Sequence, residues 1–164
     1  MKAIKLLFAA VAMTFAMSAN AQFFNGKFIA DIKGGVFTPG SVGAWGVSVG
    51  YQKPLTESDG FNLAWDLISV DFTDTFKAAG DNWQIGVKTG LRGFTPTFWN
   101  DNVRGYANIG GGYTYVGGWA KKSAFGLVAG VGLQFKEKFS FGYSFQYETF
   151  GKSKAHFATL GWAF

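Results

Sequence analysis

Residues 139–148 read Phe-Ser-Phe-Gly-Tyr-Ser-Phe-Gln-Tyr-Glu. Drawn out as an extended chain, this puts Phe139, Phe141, Tyr143, Phe145 and Tyr147 on one side and Ser140, Gly142, Ser144, Gln146 and Glu148 on the other. Seven further stretches, for eight in all, repeat that period of two, and none shows a convincing helical period. They run over 28–37, 45–53, from 61 onward, 83–91, 103–115, 124–135 and 155–164. In the third, the apolar phase slips from Phe61, Leu63, Trp65 and Leu67 to Ile68, Val70 and Phe72, which predicts one extra residue near Leu67, a β-bulge.

The polar face of these stretches decides the surroundings. A water-soluble sheet covers its outside with Lys, Glu, Asp and Thr, whereas here the non-apolar face is largely Gly, Ser, Asn and Gln. Small residues suit the crowded inside of a narrow barrel, and this also accounts for 24 glycines, which ordinary helices and strands disfavour. An eight-stranded barrel is just wide enough for its side chains to fill. The aromatic face then points into lipid, where a mid-depth Lys or Arg costs about 2–4 kcal/mol, and that face is nearly free of charge at mid-strand. With both ends of the barrel placed on the inner side, Trp45, Trp83, Tyr115 and Tyr147 fall near the outer rim. Tyr51, Phe61, Phe139 and Trp162 fall near the inner one, as two interfacial girdles.

The N-terminal segment fits export. Lys2 and Lys5 precede an apolar run from Leu6 to Met17 and a small-residue site, Ala19-Asn20-Ala21, so residues 1–21 are expected to leave and 22–164 to form one domain. That apolar run is short of the roughly 20 residues of a spanning helix. There is no cysteine, hence neither a disulfide nor a lipid-bearing N-terminal cysteine. Without the leader the net charge is +3, too mild to argue for nucleic acid. Eight strands spread over this length give about 18 residues each with its connection, enough for the 9–11 that cross a bilayer.

The expected fold is therefore all-β, an eight-stranded antiparallel up-and-down transmembrane barrel. Its closing sequence, His-Phe-Ala-Thr-Leu-Gly-Trp-Ala-Phe, alternates Ala158, Leu160, Trp162 and Phe164. In this it resembles the small eight-stranded outer-membrane β-barrel proteins of Gram-negative bacteria, the group of OmpX and the OmpA membrane domain. The resemblance implies an integral protein of the cell outer membrane, with Leu160, Trp162 and Phe164 as a signal read by the barrel-assembly machinery. It implies periplasmic chaperones as partners during biogenesis, and outer-membrane lipid and lipopolysaccharide afterwards. The chain departs from the group in its short loops and in lacking a peptidoglycan-binding domain after the barrel.

Asp31, Lys33, Asp66, Lys88, Arg92, Arg104 and Glu148 fall on the inward face, where charges must be paired or hydrogen-bonded, so they are expected to form a network that plugs the lumen. A hairpin centred on 73–82 sets Asp66 opposite Lys88 and Asn62 opposite Arg92. His156 is the sole histidine, so any metal site or His-based acid/base centre would be built on it. Some barrels of this size modify lipid A with a Ser-His arrangement, but Ala158 stands where that pattern wants a serine, which leaves Ser144 and Ser153 as candidates. Lys121, Lys122, Lys152 and Lys154 are placed in two neighbouring outer loops as candidate contacts to lipopolysaccharide phosphates. The reading is a monomeric, non-enzymatic barrel with no cofactor, with a narrow channel and a lipid-modifying enzyme as alternatives.

Overall fold

A computed structural model describes residues 26–38, 40–56, 60–76, 83–117, 122–149 and 153–164. The alternating stretches become eight strands: β1 Lys27–Thr38, β2 Val42–Pro54, β3 Asn62–Thr75, β4 Trp83–Phe94, β5 Val103–Val116, β6 Lys122–Phe135, β7 Phe139–Glu148 and β8 Lys154–Ala163. Each pairs antiparallel with its neighbour in the sequence, and β1 pairs with β8, so the sheet closes into a barrel without a free edge. Several strands exceed their alternating apolar stretch; β4, for example, continues to Phe94. Apolar alternation marks only the part of a strand that faces lipid, whereas the hydrogen-bond ladder carries on past it.

Burial answers the question of which face is wet. The aromatic row of β7 lies outside, with Phe139 at 49% and Phe141 at 56% exposed, while Ser140, Gln146 and Glu148 are buried. Ile32, Val87, Ile109, Phe125, Val131 and Leu160 stand on the same outer wall, and Lys33, Lys88, Gln52 and Gln134 are inside. A protein exposed to water buries its apolar surface; this distribution is the reverse, and it suits hydrocarbon outside. Phe28 is an exception on the outer row, buried with its ring 5.1 Å from that of Tyr51.

The predicted slip in β3 is a bulge. Pairing with β4 shifts between Asp66 and Ser69, and pairing with β2 shifts between Tyr51 and Gln52, so Leu67 and Ile68 are both exposed in succession. Glycines make room where large side chains cross the interior. A Cβ on Gly132 would collide with the Tyr106 ring, one on Gly142 with the Tyr106 hydroxyl, and one on Gly161 with the Asp31 carboxylate. The β6–β7 turn places Lys136 and Glu137 in the left-handed region, φ 47° and 57°, with Lys138 N–H donating to the Phe135 carbonyl. That is the primed geometry which matches strand twist in a tight hairpin.

Residues 1–21, read as an export segment, together with Lys121 and Lys152, lie outside the described residues.

Candidate functional site: the lumen and the outer wall

The inward rows of β1, β3, β4, β5 and β7 bring the predicted charges into one interior, organised in three groups. Toward the outer end, Asp71 holds Lys33 at 2.5 Å and Lys88 at 3.6 Å. Thr73 donates to the same Asp71 carboxylate, and Lys88 also donates to Gln146 Oε1 at 3.2 Å. Nearer the inner end, Arg92 directs Nη2 and Nε at one oxygen of Asp66, each at 3.2 Å, and Gln52 donates to the other oxygen at 2.7 Å. At the inner rim, Arg104 donates to Gln134 and lies 3.7 Å from Glu137, which also binds Lys27. Two of the predicted carboxylates make no ion pair among the described residues. Asp31 accepts from Ser48, and Glu148 accepts from Ser153 and Gln84.

Aromatic rings close the space beyond these groups. Phe157 points inward and is fully buried with Ala44 and Ala155, edge-on to Phe37, and Lys33 sits over its face at 4.7 Å. At the other end Arg104 covers Phe94 at 4.0 Å and Arg92 covers Tyr106 at 5.1 Å. A cation over a desolvated ring face is favourable, so each seal also helps to satisfy a lumen charge. A cavity of about 100 Å³ remains at mid-height, lined by groups that include Asp31, Ser48, Arg92, Asn108, Ser144 and Thr159. It is polar and roomy enough for a few water molecules.

The expected cross-strand partners are corrected. Asp66 stands opposite Gly90, Lys88 opposite Ser69, Arg92 opposite Ala64 and Asn62 opposite Phe94. The β3 bulge and a hairpin centred further along the chain displace the register. Asp66 consequently pairs with Arg92, and Lys88 with Asp71. Asp71 is the residue that the reading of the charges missed, although the phase slip carried the signal: once Ile68, Val70 and Phe72 face outward, Asp71 must face inward. Phe157 was missed for a related reason, being a large ring in an otherwise small and polar row.

On the outer wall, His156 stands on the lipid-facing row of β8, its Nδ1 2.5 Å from the Tyr143 hydroxyl and its ring 5.3 Å from that of Phe145. The candidate serines do not join it. Ser144 lines the lumen cavity, and Ser153 is engaged with Glu148. Among the described residues no group of three His, Cys, Asp or Glu side chains could hold a metal ion. Lys122 and Lys154 are the first residues of β6 and β8 and not loop residues. Lys154 shares the lipid-facing row with His156, whereas Lys122 holds a lumen-parity position at the mouth.

The rings of the girdles meet their neighbours: Trp83 lies 5.7 Å from Tyr115, and Phe139 lies 4.1 Å from Trp162. Leu160, Trp162 and Phe164 form one exposed outward row, with Phe164 N–H donating to the Phe28 carbonyl.

No family model matches the chain, and neither does any curated relative. Solved structures do. The outer membrane enzyme PagL superposes with a TM-score of 0.64 at 11% identity, covering 82% of this chain and 97% of its own. Neisserial surface protein A gives 0.63 at 13% identity, over 85% and 96%. Ail, the attachment invasion locus protein of Yersinia pestis, gives 0.52 at 15%, over 85% and 97%. At these identities the likeness is one of fold, and it agrees with the apolar outer wall, the polar interior and the closed strand order: the chain is a small eight-stranded β-barrel of the outer-membrane type.

Proposed function

We propose that the protein is a non-enzymatic integral outer-membrane barrel whose lumen is occupied by its own side chains, serving envelope integrity or surface interaction. The observation that carries this is the interior itself. Lys33, Lys88 and Asp71 form one buried group, Arg92 and Asp66 another, and Phe157 and Phe94 lie beyond them at the two ends. On this reading the interior stiffens the barrel and sets buried ion pairs and rings across the route an ion would take. The exposed row of Leu160, Trp162 and Phe164 is in keeping with a role in assembly, and the apolar wall with outer-membrane lipid and lipopolysaccharide as its surroundings. Enzymatic use of His156 is disfavoured by its pairing with Tyr143, by Ser144 facing the lumen on the other side of the wall, and by the hydrogen bond of Ser153 to Glu148.

The test has three parts. The protein should fractionate with the outer membrane and migrate differently on gels with and without heating. Purified protein in a planar bilayer should pass no discrete current, and a deletion strain should be sensitised to envelope stress. Steady single-channel conductance would favour the second reading, a narrow channel, for which the mid-lumen cavity of about 100 Å³ is the supporting feature. Altered lipid A acylation on His156→Ala would favour the enzyme.

A further inference from the structure

A lipid-facing wall normally carries aliphatic and aromatic side chains, and polar groups there are costly unless satisfied. On the seam where β8 meets β1 and β7, this barrel departs from that rule with an ionisable pair of side chains, Lys154 and His156, on the outward row. Val36, His156 and Phe145 stand in one cross-strand row, with Thr38, Lys154 and Tyr147 above them and Gly34, Ala158 and Tyr143 below. Lys154 is exposed at the outer end of this seam, and no described carboxylate pairs with it. Tyr143 reaches diagonally upward so that its hydroxyl meets Nδ1 of His156. A phenol O–H is a stronger acid than an imidazole N–H, so the favoured arrangement has the hydroxyl donating to Nδ1 and the ring's own proton on Nε2, which can donate to a group outside the protein.

The row beneath these polar groups is hollow. Gly34 and Ala158 are exposed neighbours, and a Cβ built on Gly34 would meet no atom within 4 Å. Trp45, opposite Gly34, and Tyr143, opposite Ala158, flank the hollow, and Ile32 and Leu160 close it below. The seam thus presents, from the outer end inward, an ammonium, an imidazole N–H and a dent bounded by rings and aliphatic chains. This sequence of groups matches one molecule entering from the outer leaflet: an anionic head, polar ester oxygens, then the root of an acyl chain.

We propose that Lys154, His156, Tyr143 and the Gly34–Ala158 dent form a seat for one phosphorylated lipid of the outer leaflet. Lys154 meets the phosphate, His156 Nε2 donates to a phosphate or ester oxygen, and the acyl root lies over Gly34 and Ala158. Tyr143 is a positioning residue that fixes the imidazole. The inference rests on the reading of the chain as an outer-membrane barrel and assigns that barrel a specific lipid partner, where the wall would otherwise be an indifferent solvent-like surface.

The test is native mass spectrometry of the full barrel refolded in phosphatidylcholine, with bis-phosphorylated lipid A, dephosphorylated lipid A and phosphatidylcholine as the competing probes. The wild type should retain one bis-phosphorylated lipid A in preference to the other two. The pair Lys154→Gln with His156→Asn should lower retention at least tenfold, and Gly34→Leu should lower it several-fold with every polar group intact. Lys53→Gln, at the far end of β2, should change nothing. Ala158→Leu fills the dent from the other strand and serves as the second variant if Gly34→Leu folds poorly. Equal retention of all three lipids by the wild type would overturn the proposal, as would undiminished retention by the dent-filling and polar variants. A protein that inserts and shows heat-modifiable migration but has no lipid preference refutes the seat alone; one that fails to insert refutes the barrel reading beneath it.

Discussion

Replacing Asp71 with Asn removes one charge from a buried group of three while keeping the size of the side chain and its ability to accept from Thr73. The structure allows the cost to be reasoned. The side chains of Lys33, Lys88 and Asp71 are 3%, 9% and 11% exposed, so both cations are left in the lumen with no carboxylate within ion-pair distance among the described residues. Removing one member of a buried pair costs about 3–5 kcal/mol, because the stranded charge has already been taken from water. Two features pull toward the low end: Lys33 keeps the face of Phe157, and Lys88 keeps Gln146 Oε1. Isosteric replacement opens no cavity. The expectation is therefore a loss of about 3 kcal/mol, read from urea unfolding of the refolded barrel in phospholipid bilayers. Lys33→Met added to Asp71→Asn should recover about half of that loss, since it removes one stranded cation and the single effects of contacting residues do not add. A single-variant loss below about 0.5 kcal/mol, the range of a neutral surface substitution, would refute the argument. Strict additivity of the two substitutions would refute it equally, since either result means that the lumen charges are hydrated and independent.

Phe157→Ala should cost about 3–5 kcal/mol as a large-to-small change at a fully buried site. By itself it should leave the barrel silent in a planar bilayer, because Phe94 still closes the inner end; Phe94→Ala with Phe157→Ala should pass discrete current, and silence of the folded double variant would show that the ion pairs are the barrier. Phe164→Ser removes one ring from the inner rim, so the refolded barrel should lose no more than about 1.5–3 kcal/mol, while the amount reaching the outer membrane in cells falls sharply; equal defects in both settings would make the residue purely structural. The carboxyl of Glu137 is held below the ordinary glutamate range, first by the hydrogen bond from Lys27, with burial opposing and the charges of Lys27 and Arg104 assisting. A carboxyl depressed on folding stabilises above its unfolded range and loses that contribution as the pH falls through its folded value. Wild type and Glu137→Gln should thus differ by less than about 1 kcal/mol at neutral pH, the pair being half exposed and screened, and should converge in acid; a gap that widened on acidification would contradict the assignment.

The barrel was legible in the sequence because one period governs both of its faces. Lipid outside and a narrow interior impose opposite compositions on alternate residues, so Phe139 to Tyr147 against Ser140 to Glu148 declares both strand and orientation. The same rule places Asp31, Lys33, Asp66, Lys88, Arg92, Arg104 and Glu148 inside without any knowledge of neighbours, and the slip at Leu67 and Ile68 marks the bulge. What period two leaves open is position along the partner strand. A hairpin centre displaced by a residue or two, with a bulge beyond it, moves each residue to a different partner even where its face is foreseen, which is why the sequence sets Asp66 against Lys88 when it meets Arg92. Contacts across the lumen escape the sequence altogether. Lys88 on β4 reaches Gln146 on β7, and Lys33 on β1 meets both Asp71 on β3 and Phe157 on β8. The His156–Tyr143 pair and the hollow at Gly34 and Ala158 depend on β8 closing against β1 and β7. Alternation is a local consequence of how one strand meets its two solvents, whereas register and cross-lumen distance are set by closure, which couples all eight strands at once.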